Sequence, residues 1–106
     1  MPSSFSFALG REPLKGTFTS TTNSASFSPV AGKPFNITLT GTFSATVQLK
    51  RSFDNGSTWS ALTVESTTLC SWTGNISTSW VETEANVLYR LECTYSSGTV
   101  TYRIST

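Results

Sequence analysis

The chain has no histidine, only two cysteines, one methionine and 13 charged residues among 106. Without histidine there is no imidazole base, no imidazole metal ligand and no histidine-dependent nucleophilic triad. Two isolated cysteines do not make a zinc site. The acids are Glu12, Asp54, Glu65, Glu82, Glu84 and Glu92. Of these only Glu82 and Glu84 are close in sequence, and the expected place for that pair is a solvated loop edge rather than a catalytic dyad or a calcium site. No glycine-rich phosphate cradle is present. The expectation is a protein that is not an enzyme, with no catalytic residues, no metal and no cofactor.

Charge is equally uninformative for large anionic partners. A formal net charge of +1 gives no electrostatic footprint for nucleic acid or an acidic membrane. Lys50-Arg51 is the one adjacent basic pair, expected on a solvated strand face. No apolar run approaches the about 18 residues of a membrane span. The segment from Met1 to Phe5 lacks the basic start and apolar core of a signal peptide, so the expected place of synthesis is a cytosol. In that compartment Cys70 and Cys93 are expected as reduced thiols rather than a disulfide. The sequons at Asn36, Asn55 and Asn75 carry no weight in a chain so rich in Ser and Thr.

What is abundant is hydroxyl. Ser and Thr make up about a third of the chain, alongside 12% aromatic residues, a composition that fits pleated sheet. Alternation of period two recurs and helical periodicity is absent. Phe35, Ile37 and Leu39 alternate with Asn36, Thr38 and Thr40. Val87, Tyr89, Leu91, Cys93 and Tyr95 alternate with Leu88, Arg90, Glu92 and Thr94, and Val100, Tyr102 and Ile104 follow. With a turn at Ser96-Ser97-Gly98, the last two strands read as a hairpin. About seven or eight short strands predict an all-β fold, an immunoglobulin-like or jelly-roll antiparallel β-sandwich. The run Glu84 to Tyr89 resembles the corner before the F strand of immunoglobulin-like domains.

Composition divides the chain into residues 1–30, an N-terminal arm or edge strand with loops, and a sandwich domain over 31–106. Phe5, Phe7, Phe18 and Phe27 stand in the first part as isolated aromatic anchors. Phe5, Phe7 and Leu9 are the candidate contacts to a neighbouring subunit.

Residues 52–59, Ser-Phe-Asp-Asn-Gly-Ser-Thr-Trp, match the S-x-D-x-G-x-T-W pattern known as the Asp-box. Asp54 is placed to accept backbone N–H groups, Gly56 to supply a positive φ, and Trp59 to fold over the turn. The pattern resembles that of sialidases and other glycan-processing β-propellers, where it recurs once per blade and lies away from the catalytic pocket. One copy in this chain is too few for blades of about 40–50 residues. The resemblance therefore implies a hairpin role alone for Ser52, Asp54, Gly56, Thr58 and Trp59.

From Phe35 to Ile104 the order of features carries a second resemblance. It runs Pro-Phe-x-x-x-Leu-x-Gly-x-Phe, then Thr46 to Asp54 into the turn, then Glu84 through Tyr89-Arg90-Leu91, then Ser97 to Arg103. This resembles small head proteins of tailed bacteriophages that act as capsid decoration or cement. The resemblance implies a non-enzymatic virion protein, made in the bacterial host cytoplasm and located on the capsid surface. Its implied partners are the major capsid protein and further copies of itself, as a dimer or trimer, with no nucleic acid and no membrane. Two alternatives stand beside it. One is a carbohydrate-binding module using exposed members of Trp59, Trp72, Trp80, Tyr95 and Tyr102 as a stacking platform for host glycans. The other is a tail or head–tail adaptor subunit.

Overall fold

A computed structural model of the chain describes residues 7–8 and 13–106. Among these residues there is no helix, and two β-sheets pack face to face. The first sheet contains β1 (Phe7–Ala8), β4 (Phe27–Ser28), β11 (Leu88–Gly98), β6 (Phe43–Ser52), β7 (Ser60–Val64) and β8 (Thr67–Leu69), in that order. Two further short strands join it, β3 (Thr22–Asn23) on β11 and β9 (Ser71–Trp72) on β6. The second sheet runs β10 (Ile76–Trp80), β5 (Phe35–Thr40), β12 (Val100–Ser105), β2 (Leu14–Phe18). The sandwich is as expected. Its strands are more numerous than the expected seven or eight because β3, β4, β8 and β9 are only two or three residues long. All pairings are antiparallel except β1 with β4.

The alternation in the sequence decides the core. Phe35, Ile37 and Leu39 from β5 and Val100, Tyr102 and Ile104 from β12 face Val47 and Leu49 from β6 and Tyr89, Leu91 and Cys93 from β11. The central ladder of β6 with β11 is the longest in the fold, interrupted by one bulge between Tyr95 and Ser97. Phe27, Phe35 and Tyr89 form an aromatic cluster with ring centroids 5.4–5.9 Å apart. Phe18 stacks on Tyr102 at 4.7 Å. Phe18 and Phe27 are thus core residues, and the change of composition near residue 30 does not mark a boundary in the packing. Within the first 30 residues the edge-strand reading describes Leu14–Phe18, which borders β12. Cys93 is buried, Cys70 half-buried, and both thiols are free.

The expected terminal hairpin does not form. β11 lies in one sheet and β12 in the other, so the chain crosses between layers at Gly98 and Thr99. A second crossing, from β5 to β6, passes through Gly41 and Thr42 beside it. The Thr99 N–H donates to the Thr42 carbonyl at 3.0 Å. Gly98 has φ 87°, and a Cβ there would collide with the Thr42 carbonyl and with Phe43 Cα; one on Gly41 would collide with the Thr99 carbonyl. Two backbones meet without side chains between them, and that contact turns both strands into crossings rather than hairpins.

The β7–β8 hairpin has Glu65 at φ 47° and Ser66 at φ 73°. These are the left-handed values of a two-residue turn, in which Asn-Gly is the favoured pair. Ser66→Gly is expected to raise the unfolding free energy by about 1 kcal/mol, read as a higher urea midpoint. Gly98→Ala is expected to lower it by more than that, because the methyl group would part the two crossings.

Candidate functional site

The strand β6 ends at Ser52, and the next seven residues fold onto their own side chains. Ser52 is buried, and its hydroxyl accepts the Gly56 N–H at 2.8 Å and the Asp54 N–H at 3.4 Å while donating to Asp54 Oδ1 at 2.8 Å. Asp54 accepts the Thr58 N–H at 2.9 Å on Oδ1 and the Thr58 hydroxyl at 2.6 Å on Oδ2. The division of labour differs from the sequence expectation. Ser52 satisfies the nearer amide groups, and Asp54 reaches four residues forward. Asn55 at φ 60° and Gly56 at φ 92° make the reversal. Trp59 closes it, its Nε1–H donating to the Gly56 carbonyl at 3.1 Å.

The hydroxyl and amide donors of Thr58, followed by the Ser52 hydroxyl, hold the Asp54 carboxyl at a pKa of about 2. Both carboxylate oxygens accept bonds from within the turn, two on Oδ1 and one on Oδ2.

The Arg90 guanidinium lies over the Trp59 ring, 4.3 Å from its centroid, and donates through Nε and Nη2 to Glu92 Oε2 at 2.9 and 2.7 Å. Lys50 reaches the other Glu92 oxygen at 3.4 Å. Between the turn and the start of β11 is a groove of about 330 Å³ whose walls include Ser24, Ser26, Ser57, Trp59 and Arg90. Arg90 covers one face of the indole, and its charge is met by Glu92.

The second constellation was not expected from the sequence. Glu82 is only 4% exposed. Its Oε1 accepts the Tyr89 hydroxyl at 2.7 Å and Arg51 Nη1 at 2.8 Å, and its Oε2 accepts the Glu84 N–H at 3.0 Å. Tyr89 in turn accepts Trp80 Nε1–H at 3.1 Å, and the Glu82 carbonyl accepts the Gly32 N–H at 2.7 Å. Burial by itself would raise the Glu82 pKa; the Tyr89 hydroxyl, the Glu84 amide and Arg51 outweigh it and hold it below the usual carboxylate range. Burial, followed by the bond to Glu82, pushes the Tyr89 phenol up to about 12.

The expected solvated edge for Glu82 is therefore incorrect; Glu84 alone occupies it. Arg51 likewise turns away from the outer face that Lys50 occupies, because adjacent strand residues point to opposite sides. Tyr89 and Arg51 are paired on the inner side across β6 and β11, and that register, which no single strand's pattern reveals, brings both to Glu82.

Around this network lie exposed apolar side chains. Phe53 is 54% exposed with the Arg51 guanidinium 4.9 Å from its ring centroid, Val81 is 43% exposed and Val30 is 50% exposed. Their three segments are joined by the bonds Arg51–Glu82 and Gly32–Glu82.

The outer face of the second sheet is a carpet of hydroxyls in register. One row is Thr17, Thr101, Thr40; the next is Lys15, Arg103, Thr38, Ser77; the third is Ser105, Asn36, Ser79. None of the described acids lies on it.

The remaining candidates separate. Phe5 and Leu9 lie outside the described residues. Phe7 pairs in parallel with Phe27. Trp72, Trp80 and Tyr95 are half-buried against the core and Tyr102 is buried; they belong to both sheets and share no single face with Trp59. Among the described residues no three metal-ligating side chains cluster, and no helix is long and apolar enough to cross a membrane.

Two expectations follow. Asp54 has a folded pKa below its unfolded value, so its contribution is complete above about pH 4 and is lost as pH falls through about 2. Asp54→Asn should flatten the decline of melting temperature over that window. Glu82→Ala should cost about 2–3 kcal/mol in denaturant unfolding, since it strands the Tyr89 hydroxyl and unpairs Arg51. Comparison of the chain with protein-family models, with curated proteins and with solved structures returned no match.

Proposed function

We propose that this protein is a non-enzymatic virion subunit, a capsid decoration or cement protein that binds the assembled head and stabilises it. The observation that carries the reading is a set of exposed apolar side chains on segments that meet at Glu82. Phe53, Val81 and Val30 are exposed on segments held by the Glu82 network. Exposed apolar side chains on a rigid support are the anchors of a protein interface, because little ordering entropy remains to be lost on contact. The outer face of the second sheet supports the same reading, since its seven hydroxyls offer many hydrogen bonds beside two cations, Lys15 and Arg103. Many copies on one shell would add avidity to a modest single contact.

A tail or head–tail adaptor subunit would use the same surface. Glycan binding has narrower support: it rests on the groove beside Trp59, where the ring is already covered on one face by Arg90.

The test is co-sedimentation of the purified protein with assembled heads of the virion that encodes it. Binding is expected to persist as salt is raised, because screening weakens exposed ionic contacts and leaves apolar burial intact. Phe53→Asp and Val81→Asp should weaken binding strongly with unchanged melting temperature. Release at moderate salt, or indifference to both substitutions, would refute the proposal. Binding on a glycan array without head binding would select the saccharide reading.

A further inference from the structure

We infer that β10 is the seam through which two copies of this chain pair, edge to edge and antiparallel, about a two-fold axis at Thr78. This deepens the proposal above and rests on its reading of a virion subunit present in many copies.

An edge strand presents unpaired N–H and C=O groups to any extended chain that can align with it, and proteins blunt such edges with charge, proline, bulges or shortness. Among the described residues the β2 and β8 edges are blunted. The second sheet ends on its far side in β2, which carries Lys15 and Gly16. At its β8 edge the first sheet ends in a strand of three residues. β10 has none of these devices. Its five residues, Ile-Ser-Thr-Ser-Trp, carry no charge and no proline, and all five pair with β5 in unbroken register.

The register also selects the partner. Ile76, Thr78 and Trp80 face the same way as Leu39, Ile37 and Phe35, toward the space between the sheets, while Ser77 and Ser79 face outward with Thr38 and Asn36. Yet Thr78 is exposed, and Ile76 and Trp80 are only half-buried. The space between the layers is therefore open along this strand.

An axis at Thr78 sets Ile76 of one copy against Trp80 of the other, and Ser77 against Ser79. Apolar meets apolar on the inner side and hydroxyl meets hydroxyl on the outer side. A slip of one residue would invert every side chain and oppose Trp80 to a serine. The strand is thus complementary to itself. Trp80 is already fixed by its bond to Tyr89, which lowers the ordering cost of the contact. The resulting interface is isologous, so it closes on two copies and does not propagate. It joins two four-stranded sheets into one.

The test is sedimentation equilibrium of the intact protein up to millimolar concentration, with melting curves for each variant. The wild type should dimerise. Thr78→Lys places like charges at the axis and should weaken the dimer by about tenfold or more, with little change in melting temperature because Thr78 is exposed. In a Cys70→Ser background, Thr78→Cys should oxidise to a disulfide dimer joined at position 78. Ser77→Cys, which faces Ser79, should not cross-link to itself.

A protein that stays monomeric at millimolar concentration overturns the inference, as does a dimer indifferent to Thr78→Lys or cross-linked at another register. These results are separable from the virion reading. A monomer that still sediments with heads overturns only the pairing; a β10-paired dimer that ignores heads overturns only the virion reading.

Discussion

Glu82 ties together both sheets and the segment that leads into β5. Its carboxylate accepts hydrogen bonds from Tyr89 on β11, Arg51 on β6 and the backbone N–H of Glu84, and its carbonyl accepts the Gly32 N–H. Through Tyr89 it also reaches Trp80 on β10. A carboxylate at this depth survives because its bonds offset the loss of hydration. Both sheets and the segment leading into β5 are thereby fixed at one end. Phe53 is held beside that end by Arg51, and Trp80 by Tyr89. The two surfaces argued to meet other proteins share one support.

The layered β fold was legible because half-burial imposes period two on the sequence. Phe35, Ile37 and Leu39 occupy the core as their alternation requires, and so do Tyr89, Leu91 and Cys93. The turn at 52–59 was legible for a different reason: its bonds are local, from Ser52 to Trp59, and are encoded by residue types at fixed spacing. The sense of individual bonds was less so, and Ser52 performs part of what Asp54 was expected to do.

Features that depend on distant partners were not legible. Nothing near Glu82 in sequence announces that Arg51, 31 positions away, will reach it. Leu88 was expected outside by alternation, yet it is buried beside Gly56, because the 52–59 turn folds back over the start of β11. The crossing at Gly98 reads locally like any hairpin turn. What makes it a crossing is its contact with Thr42, supplied by another part of the chain.

That contact has a consequence for how the molecule comes to be. Gly41 and Thr42 must meet Gly98 and Thr99 before either crossing is fixed, and these pairs come from opposite halves of the chain. The dominant ladder, β6 with β11, is just as non-local. Folding dominated by such pairings is slow on the scale of small domains, because loop closure comes before its reward. A polypeptide still on the ribosome, with β11 and β12 not yet made, would hold β6 and β5 with their long-ladder partners missing. For this architecture β11 and β12, which emerge after β5 and β6, set the moment at which the sandwich closes.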